Sequence, residues 1–450
     1  MATKSIDLSV RWRGITFPNP VITGSSEIAD DAWSTERCLA NGVGGVVTKT
    51  YTYQPEMRTR PKPYHAHFAK FGLPDSWITF VRLDTKPWEL ALKQELPKMV
   101  GMCKKAKVPL IGSIAQTPEP ERMLEMALGF ENVGCDALEV DSSCPQTDWV
   151  KDDIPQGTTC GESHELMERT IKLLAERIDI PVIYKLSPLF EPPAYFAKIW
   201  LEAGADAITA HNAPTGMMID IEKEEPFCAP YVCGYLPGRA YVPISIGRIV
   251  EIKRAFPDAV IMGLGGVYEP QDVIMYLLAG SLTAGAVSSA YQHGREIFPK
   301  LVGGLEDWMA HKGYTSVEQF AGKALERVGE PAPESHPIPF PIPELPSDII
   351  AKVNIDSCTF CNLCVVCPYE AIEISSLEQT LDIDADRCWG CGYCVGLCPE
   401  ADTLYMIDVN TDEVVWDNKG IAKALEPIGT RSSTAKTAAV RRALPGSANG

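Results

Sequence analysis

The stretch Pro181-Val-Ile-Tyr-Lys185 is followed by the segment Pro193–Ala203 and then by Ala207-Ile-Thr-Ala210. The first and last of these are short and rich in aliphatic and β-branched residues, as buried strands are. The middle segment is amphipathic and long enough for a helix. A helix between two consecutive strands is a crossover connection, so we expect the two strands to run parallel.

The same alternation extends outward from Pro20 to about Leu325. Six further stretches have the character of strands: Val21-Ile-Thr23, Gly45-Val-Val-Thr48, Val108-Pro-Leu-Ile-Gly-Ser113, Ala137-Leu-Glu-Val140, Val260-Ile-Met-Gly263 and Thr283-Ala-Gly-Ala-Val287. The other predicted helices are Pro120–Val133, His164–Ile178, Ile246–Phe256 and Pro270–Ala279. Eight βα units in roughly 300 residues predict a (β/α)₈ TIM barrel. A doubly wound sheet would need a Gly-x-Gly-x-x-Gly turn after the first strand, and the sequence has none there.

The length and the net charge of the chain exclude some classes of protein and of partner. A chain of 450 residues exceeds what one hydrophobic core usually supports. A formal net charge of -18 argues against a nucleic-acid partner, because phosphate binding needs clustered Lys and Arg. The N-terminus has no apolar signal region, and no window reaches about 18 uninterrupted apolar residues. We therefore expect a cytoplasmic protein that contacts no membrane.

Cysteines are concentrated near the C-terminus, where eight of the 15 lie between Cys358 and Cys398. In a long chain without a signal region, metal binding or catalysis explains them better than disulfides. The run Cys388–Pro399 has the spacing C-x₂-C-x₂-C-x₃-C-P. This spacing is typical of bacterial ferredoxins, in which three thiolates hold one [4Fe–4S] cluster and the fourth binds the other.

A second run, Cys358–Pro368, repeats the pattern with one residue fewer before Cys367 and therefore requires a tighter turn there. The two runs predict a small α+β, ferredoxin-like domain with two [4Fe–4S] clusters. The predicted ligands are Cys358, Cys361, Cys364, Cys367, Cys388, Cys391, Cys394 and Cys398. A pair of zinc sites is the alternative, because Cys-x₂-Cys pairs also occur in zinc ribbons. Zinc ribbons are not spaced as two sets of four with Cys-Pro ends.

The sequence predicts four regions: a barrel at 1–327, a Pro-rich linker at 328–347, the cluster domain at 348–415 and a tail at 416–450. In the linker, Pro337-Ile-Pro-Phe-Pro-Ile-Pro343 favours an extended, polyproline-like chain. The last residues are small, polar and weakly basic, and we expect them to be partly disordered.

Motifs at the predicted strand ends resemble those of the dihydroorotate dehydrogenase superfamily. They are Asn19-Pro20, Val47-Thr-Lys-Thr50, Asp141-Ser-Ser-Cys-Pro145, Thr159-Cys-Gly161, Tyr184-Lys-Leu-Ser-Pro188, His211-Asn-Ala-Pro-Thr-Gly216, Gly234-Tyr-Leu-Pro-Gly238, Gly263-Leu-Gly-Gly266 and Val287-Ser-Ser-Ala290. With the Pro-rich segment and the twin-cluster module, residues 5–410 resemble the pyrimidine-reducing half of dihydropyrimidine dehydrogenase.

The resemblance implies FMN at the carboxyl ends of the barrel strands. The residues implied in its binding are Lys49, Lys185, Asn212, Gly238, Gly265, Gly266, Ser288 and Ser289. The glycines and serines after the last two strands can present backbone N–H groups to the FMN phosphate. Lys185 would place a positive charge near the flavin ring, and Lys49 matches the family's lysine beside the flavin. A structural salt bridge at a strand end is the alternative role for each lysine.

Cys144 matches the family's acid/base cysteine, so the implied catalytic residues are Cys144 and Lys49. A thiol with a pKa of about 8.5 is mostly protonated at neutral pH and can donate a proton in a reduction. A buried cysteine that acts as a small hydrophobic residue is the alternative. Ser143 and His211 are the other candidate proton donors.

The substrate residues implied are Asp75, Asp141, Asn212 and Ala213, and three of them depart from the family. Asp141 and Asp75 stand where family members have asparagine, and Ala213 replaces a threonine. An ionised carboxylate accepts hydrogen bonds but cannot donate them. The pocket is therefore expected to prefer donor-rich or cationic ligands and to reject the orotate carboxylate.

The resemblance implies an enzyme that reduces a C=C bond in a small polar, cyclic substrate, or catalyses the reverse oxidation. Clusters carry single electrons and hydride transfer needs two, so FMN would convert between them. No nicotinamide fingerprint is present, and we expect an oligomer with a separate electron-donor subunit, an NAD(P)H–FAD flavoprotein or a ferredoxin. The alternatives are dihydropyrimidine dehydrogenase proper, an electron-transfer subunit, and a Schiff-base lyase with Lys185 as nucleophile. The lyase would leave the eight clustered cysteines unused.

Overall fold

The computed structural model describes residues 6–53, 65–67, 76–80, 86–142, 164–188, 190–226, 234–328 and 347–419. Asp75, Ser143, Cys144, most of the predicted linker and the tail beyond Lys419 lie outside these residues. The chain divides into two compact units, Met1–Glu330 and Pro331–Gly450. Within the described ranges, no helix is both long and apolar enough to cross a membrane.

The first unit contains a parallel sheet of eight strands in its described part. They are β1 Val21–Thr23, β2 Val46–Val47, β3 Leu110–Ala115, β4 Ala137–Asp141, β5 Val182–Lys185, β6 Ala207–Thr209, β7 Ile261–Leu264 and β8 Thr283–Ala286. The spatial order is β1-β8-β7-β6-β5-β4-β3-β2. A parallel bridge between Ile22 and Gly45 joins the two ends. The sheet is thus closed, which confirms the predicted (β/α)₈ barrel.

Helices follow the strands along the chain. They are α1 Ala32–Ala40, α2 Trp88–Gln94, α3 Leu96–Ala106, α4 Pro120–Val133, α5 His164–Arg177, α6 Pro193–Ala203, α7 Val242–Ala255, α8 Pro270–Leu278, α9 Ser288–His293 and α10 Ile297–Lys312. Short 3₁₀ helices lie at Glu27–Ala29, Arg239–Tyr241, Val317–Gln319 and Lys323–Arg327. Helices α4 and α6 begin with proline. Proline has no backbone N–H, and an N–H at the first helical position would have no partner within the helix, so no hydrogen bond is lost there. Both end at left-handed glycines, Gly134 and Gly204.

Proline explains two differences between predicted and observed bounds. Strand β3 begins at Leu110 rather than Val108, because Pro109 has no N–H to donate to the strand ladder. Helix α7 begins at Val242 rather than Ile246, because Pro243 is tolerated in the first turn of a helix.

A small antiparallel sheet accompanies the barrel. Its four strands, in spatial order, are Thr215–Gly216, Gly234–Tyr235, Trp77–Thr79 and His65–His67. Two hairpins complete the described strands of this unit: Val10–Trp12 with Ile15–Phe17, and Ile219–Asp220 with Glu225–Pro226. Strands of two or three residues give no alternating pattern, and the sequence did not indicate them.

Gly112 and Ser113 on β3 face opposite sides of the barrel wall. On β3, a Cβ added to Gly112 would lie 2.3 Å from the Phe130 ring on α4, so the glycine faces the helix layer and allows its close approach. Side chains alternate along a strand, so Ser113 faces the barrel interior. There its hydroxyl donates to Glu139 of β4 at 3.1 Å. The interior therefore contains a buried carboxylate near the end of the strands.

The second unit is a small α+β fold. The sheet contains β9 Ile349–Val353, β12 Leu404–Asp408 and β13 Val414–Asp417, and a hairpin contains β10 Ile372–Ser375 and β11 Thr380–Ile383. The helical segments are 3₁₀ helices at Ile355–Ser357 and Leu363–Val366 and the α-helix α11 Tyr393–Leu397. Ile350, Val395 and Leu404 are buried in one hydrophobic core with Cys364, Cys388 and Cys394. The predicted ferredoxin-like architecture is confirmed.

Candidate functional site

A cleft of about 900 Å³, part of which is open to solvent, lies at the carboxyl ends of the barrel strands. Barrel enzymes place their active sites at this end. Nine of the predicted site residues line it: Lys49, Asp141, Lys185, Asn212, Ala213, Gly238, Gly265, Gly266 and Ser288. Ser289 is not among the lining residues, and its hydroxyl donates to the Val267 carbonyl at 2.6 Å. The predicted residues Asp75 and Cys144 lie outside the described ranges.

Lys185, at the end of β5, is buried between two carboxylates. Its Nζ atom lies 3.2 Å from Glu139 Oε1 and 3.3 Å from Asp141 Oδ2. It also donates to Ser25 Oγ at 2.8 Å. The lysine therefore lines the cleft and is salt-bridged as well. The positive charge that the sequence placed beside the flavin is largely compensated by these carboxylates.

Asp141 and Asn212 form the polar part of the cleft next to this lysine. The Asn212 Nδ2 atom lies 3.3 Å from both carboxylate oxygens of Asp141. The Asn212 Oδ1 atom accepts the Ala213 N–H at 2.8 Å. A ligand would therefore meet an asparagine whose orientation is fixed by an aspartate, rather than two asparagines.

Lys49, which follows β2, is paired with a residue that the sequence did not indicate. Its Nζ atom lies 3.4 Å from Glu27 Oε1, and the lysine side chain is 8% exposed. Glu27 also accepts a hydrogen bond from the Tyr291 hydroxyl on α9. Glu27 and Tyr291 are 264 residues apart, and no local motif links them.

Aromatic side chains form one wall of the cleft. The ring centroids of His65 and Trp77 are 4.6 Å apart, and those of Trp77 and Tyr291 are 5.1 Å apart. The short antiparallel sheet carries the first two and also Tyr235, which lines the same cleft. Such flat, apolar surfaces favour a planar ligand and exclude water from it.

Three glycines allow the loops beside the ends of β7 and β8 to pack closely around the cleft. Gly265 and Gly266 have φ of 115° and 72°, values that favour glycine. A Cβ on Gly266 would lie 2.8 Å from the Gly238 carbonyl oxygen. Ser288 begins α9 beside them, and the first N–H groups of a helix have no helical partner. These backbone groups fit an FMN phosphate.

His211, which follows β6, lines the same cleft and is 3% exposed. Burial, and secondarily the charges of Arg248 and Lys185, lower the pKa of His211 to about 3. The imidazole is therefore neutral at physiological pH. It is a poor substitute for Cys144 as a proton donor, because it holds no readily released proton.

In the second unit, the predicted cysteine ligands surround two cavities. One is lined by Cys358, Cys361, Cys364 and Cys398, and the other by Cys367, Cys388, Cys391 and Cys394. Each set takes three cysteines from one run and the fourth from the other, as twin-cluster ligation requires. No group of described side chains is close enough to hold a single metal ion. Cysteines around a cavity suit a multi-iron cluster better than one zinc ion.

The first cysteine run is one residue shorter than the second, and the turn before its last cysteine is a different type of helix. The turn before Cys398 is the α-helix α11, whereas the turn before Cys367 is the 3₁₀ helix Leu363–Val366. A 3₁₀ helix has 3.0 residues per turn and an α-helix has 3.6. The tighter helix therefore brings Cys367 to its cavity with one residue fewer.

Both cysteine runs share a backbone conformation around the central cysteine. Gly390 and Gly392 have φ of 66° and 74°, and Phe360 and Asn362 have φ of 51° and 64°. In the first run this conformation brings the Phe360 N–H to 3.4 Å from Cys358 Sγ. The two runs therefore form matching loops, although only the second has glycine at the left-handed positions.

The barrel cleft and the two cysteine sets fit a flavin and iron–sulfur oxidoreductase. The dihydroorotate dehydrogenase family model matches residues 7–309, and the chain belongs to that family. A 4Fe-4S dicluster domain model matches residues 352–401. Membership in the family implies FMN, and the dicluster match implies two [4Fe–4S] clusters.

Two relatives differ in how much of the chain they match. The catalytic subunit of dihydroorotate dehydrogenase B (NAD(+)) from Methanothermobacter thermautotrophicus is 30% identical over 69% of this chain and 96% of its own length. The NAD-dependent dihydropyrimidine dehydrogenase subunit PreA from Escherichia coli K12 is 26% identical over 89% of this chain and 95% of its own length. Both names describe one subunit of an enzyme.

Proposed function

We propose that this chain reduces the activated C=C bond of a small polar, cyclic substrate, or catalyses the reverse oxidation, and exchanges electrons with a partner subunit. The observation that carries the proposal is the presence in one chain of a two-lysine barrel cleft and two four-cysteine cavities. When bound, FMN supplies the conversion between hydride transfer and the single-electron steps of the clusters.

Different residues of the chain would bind the phosphate, orient the flavin ring, exclude water and donate the proton. Gly265, Gly266 and Ser288 would bind the phosphate through backbone N–H groups. Lys49 and Lys185 are held in place by their carboxylate partners and would orient the flavin ring. The aromatic wall would exclude water. Cys144 would donate the proton to the substrate carbon that does not receive the hydride.

The substrate should carry hydrogen-bond donors. Asp141 lines the cleft and has carboxylate oxygens where the resemblance leads one to expect the donor NH₂ group of an asparagine. A carbonyl-rich pyrimidine ring would face acceptors where donors are needed. We infer that uracil, thymine and orotate are poor substrates.

Dihydropyrimidine dehydrogenase chemistry is the second candidate. The match to the Escherichia coli subunit covers 89% of the chain and so includes the second unit. An NAD(P)H–FAD flavoprotein subunit is then the favoured electron donor, and a ferredoxin is the other. An electron-transfer subunit with no substrate of its own is the remaining candidate.

The test mixes the anaerobically reduced full chain with cyclic unsaturated compounds and follows the return of oxidised flavin absorbance. We expect rapid reoxidation by donor-rich compounds and slow reoxidation by uracil. An Asp75→Asn, Asp141→Asn double variant should gain activity on uracil by ~10³, as two mismatched polar contacts imply.

Efficient turnover of uracil by the unmodified chain would instead establish pyrimidine reduction. Reoxidation by none of the compounds would favour the electron-transfer subunit.

A further inference from the structure

His211 is a buried polar side chain whose ring nitrogens have no partner among the described residues. Neither Nδ1 nor Nε2 accepts or donates a hydrogen bond there, although the side chain lines the cleft. Buried polar groups in native proteins are nearly always hydrogen-bonded. The imidazole is therefore positioned for a ligand in the cleft.

The position of the ring is fixed by its neighbours. It stacks on Tyr241 with centroids 5.1 Å apart and planes at 21°. On the β7 side, a Cβ on Gly265 would lie 3.3 Å from His211 Cδ2. The Arg248 Nε–H donates to the Ala210 carbonyl at 2.9 Å and so holds the backbone just before the histidine. The ring has little freedom to seek another partner.

The chemistry of the missing partner follows from the two unpartnered ring nitrogens. A neutral imidazole has one N–H donor and one acceptor nitrogen. A phosphate oxygen would prefer donors alone, whereas a hydroxyl group can both accept and donate. The polar group that best matches His211 is therefore a hydroxyl.

The location of His211 in the cleft indicates which hydroxyl group of a bound ligand would contact it. On one side of the ring lies Gly265, in the loop suited to the phosphate. The charge of Lys185, in the region suited to the flavin ring, is near enough to contribute to the lowered pKa of His211, and both side chains line the same cleft. The ribityl chain of FMN, which carries hydroxyl groups, joins these two parts of the cofactor.

We propose that His211 is a flavin-positioning residue that hydrogen-bonds a ribityl hydroxyl of FMN. The proposal rests on the barrel binding FMN, as proposed above. It gives His211 a role as a cofactor contact, whereas the sequence indicated it only as the start of the His211–Gly216 motif and as an alternative proton donor. Substitution should therefore weaken binding of flavins that have a ribityl chain and no others.

The experiment measures dissociation constants of FMN, riboflavin and lumiflavin with the flavin-depleted full chain. Riboflavin lacks the phosphate, and lumiflavin lacks the ribityl chain as well. His211→Ala should weaken FMN and riboflavin by about tenfold, the scale of one hydrogen bond, and leave lumiflavin unchanged. His211→Gln, which retains a donor and an acceptor, should recover part of the loss. His311→Ala, at an exposed position of α10, is the control.

Each other outcome overturns the proposal. Equal weakening of all three flavins would place the contact on the ring system, and weakening of FMN alone would place it on the phosphate. Unchanged constants in the variants would exclude any contact. Failure of the unmodified chain to bind FMN would instead overturn the proposed function, and with it this inference.

Discussion

The Nζ atom of Lys185 lies 3.3 Å from Asp141 Oδ2, and both side chains line the barrel cleft. The resemblance to the family leads one to expect an asparagine at position 141, which would leave only Glu139 to balance the lysine. The aspartate adds a second negative charge beside the place proposed for the flavin. Its effect should therefore appear in the electron affinity of the cofactor as well as in substrate choice.

We predict that Asp141→Asn raises the midpoint potential of the bound flavin. Removing a negative charge beside Lys185 stabilises the anionic reduced form, and the shift should be on the order of 30 mV for a two-electron couple. Spectroelectrochemical titration measures it. Glu202→Gln, at an exposed salt bridge of α6, is the control and should leave the potential unchanged. A potential that falls or stays constant in Asp141→Asn would show that the Lys185–Asp141 pair does not act on the flavin.

The crossed arrangement of cysteines predicts which substitutions affect the same cluster. Cys367→Ser should alter the same electron paramagnetic resonance signal as Cys394→Ser, because both residues line one cavity. Cys398→Ser should alter the other signal, together with Cys358→Ser. Iron should fall toward about four per chain in each variant from about eight in the parent. The assignment fails if Cys367→Ser and Cys358→Ser change one common signal.

Gly265→Ala is predicted to weaken FMN binding by at least about tenfold, on the scale of one lost contact. Its φ of 115° disfavours a side chain, and the new Cβ would lie 2.9 Å from Ser245 Oγ. Fluorescence of the released flavin measures the affinity. Gly247→Ala, in α7, is the matched control because its Cβ would meet nothing within 4 Å. That variant should bind FMN normally and gain up to about 1 kcal/mol of stability from helix propensity. Equal FMN affinity in both variants would remove the loop from the binding site.

Cys144→Ala should retain FMN, both clusters and reduction by the electron donor, while substrate turnover falls by ~10²–10⁴, the usual contribution of a positioned acid. Steady-state kinetics and anaerobic flavin reduction separate the two effects. Full turnover in the variant would assign proton donation to another group, and the neutral His211 is a weak candidate for it.

The barrel was predictable from the sequence because most of its strands are short aliphatic and β-branched runs separated by amphipathic segments of helical length. The cluster ligands were predictable because cubane ligation fixes the cysteine spacing. The carboxylate partners of Lys49 and Lys185 were not predictable from the sequence. Glu27 reaches Lys49 only through the closure of the barrel, and the aromatic wall depends on strands of two or three residues. The sequence indicated His211 only as an alternative proton donor, and a role in cofactor binding could be inferred only when its burial and its unpartnered ring nitrogens were known.

The central claim is that one chain contains FMN and two [4Fe–4S] clusters, and the composition of the anaerobically purified full chain tests it most directly. Flavin released by mild denaturation, iron, acid-labile sulfide and zinc are measured per chain. The account predicts about one FMN with about eight irons and eight sulfides and no stoichiometric zinc. A colourless protein, release of FAD, or zinc in place of iron would contradict it.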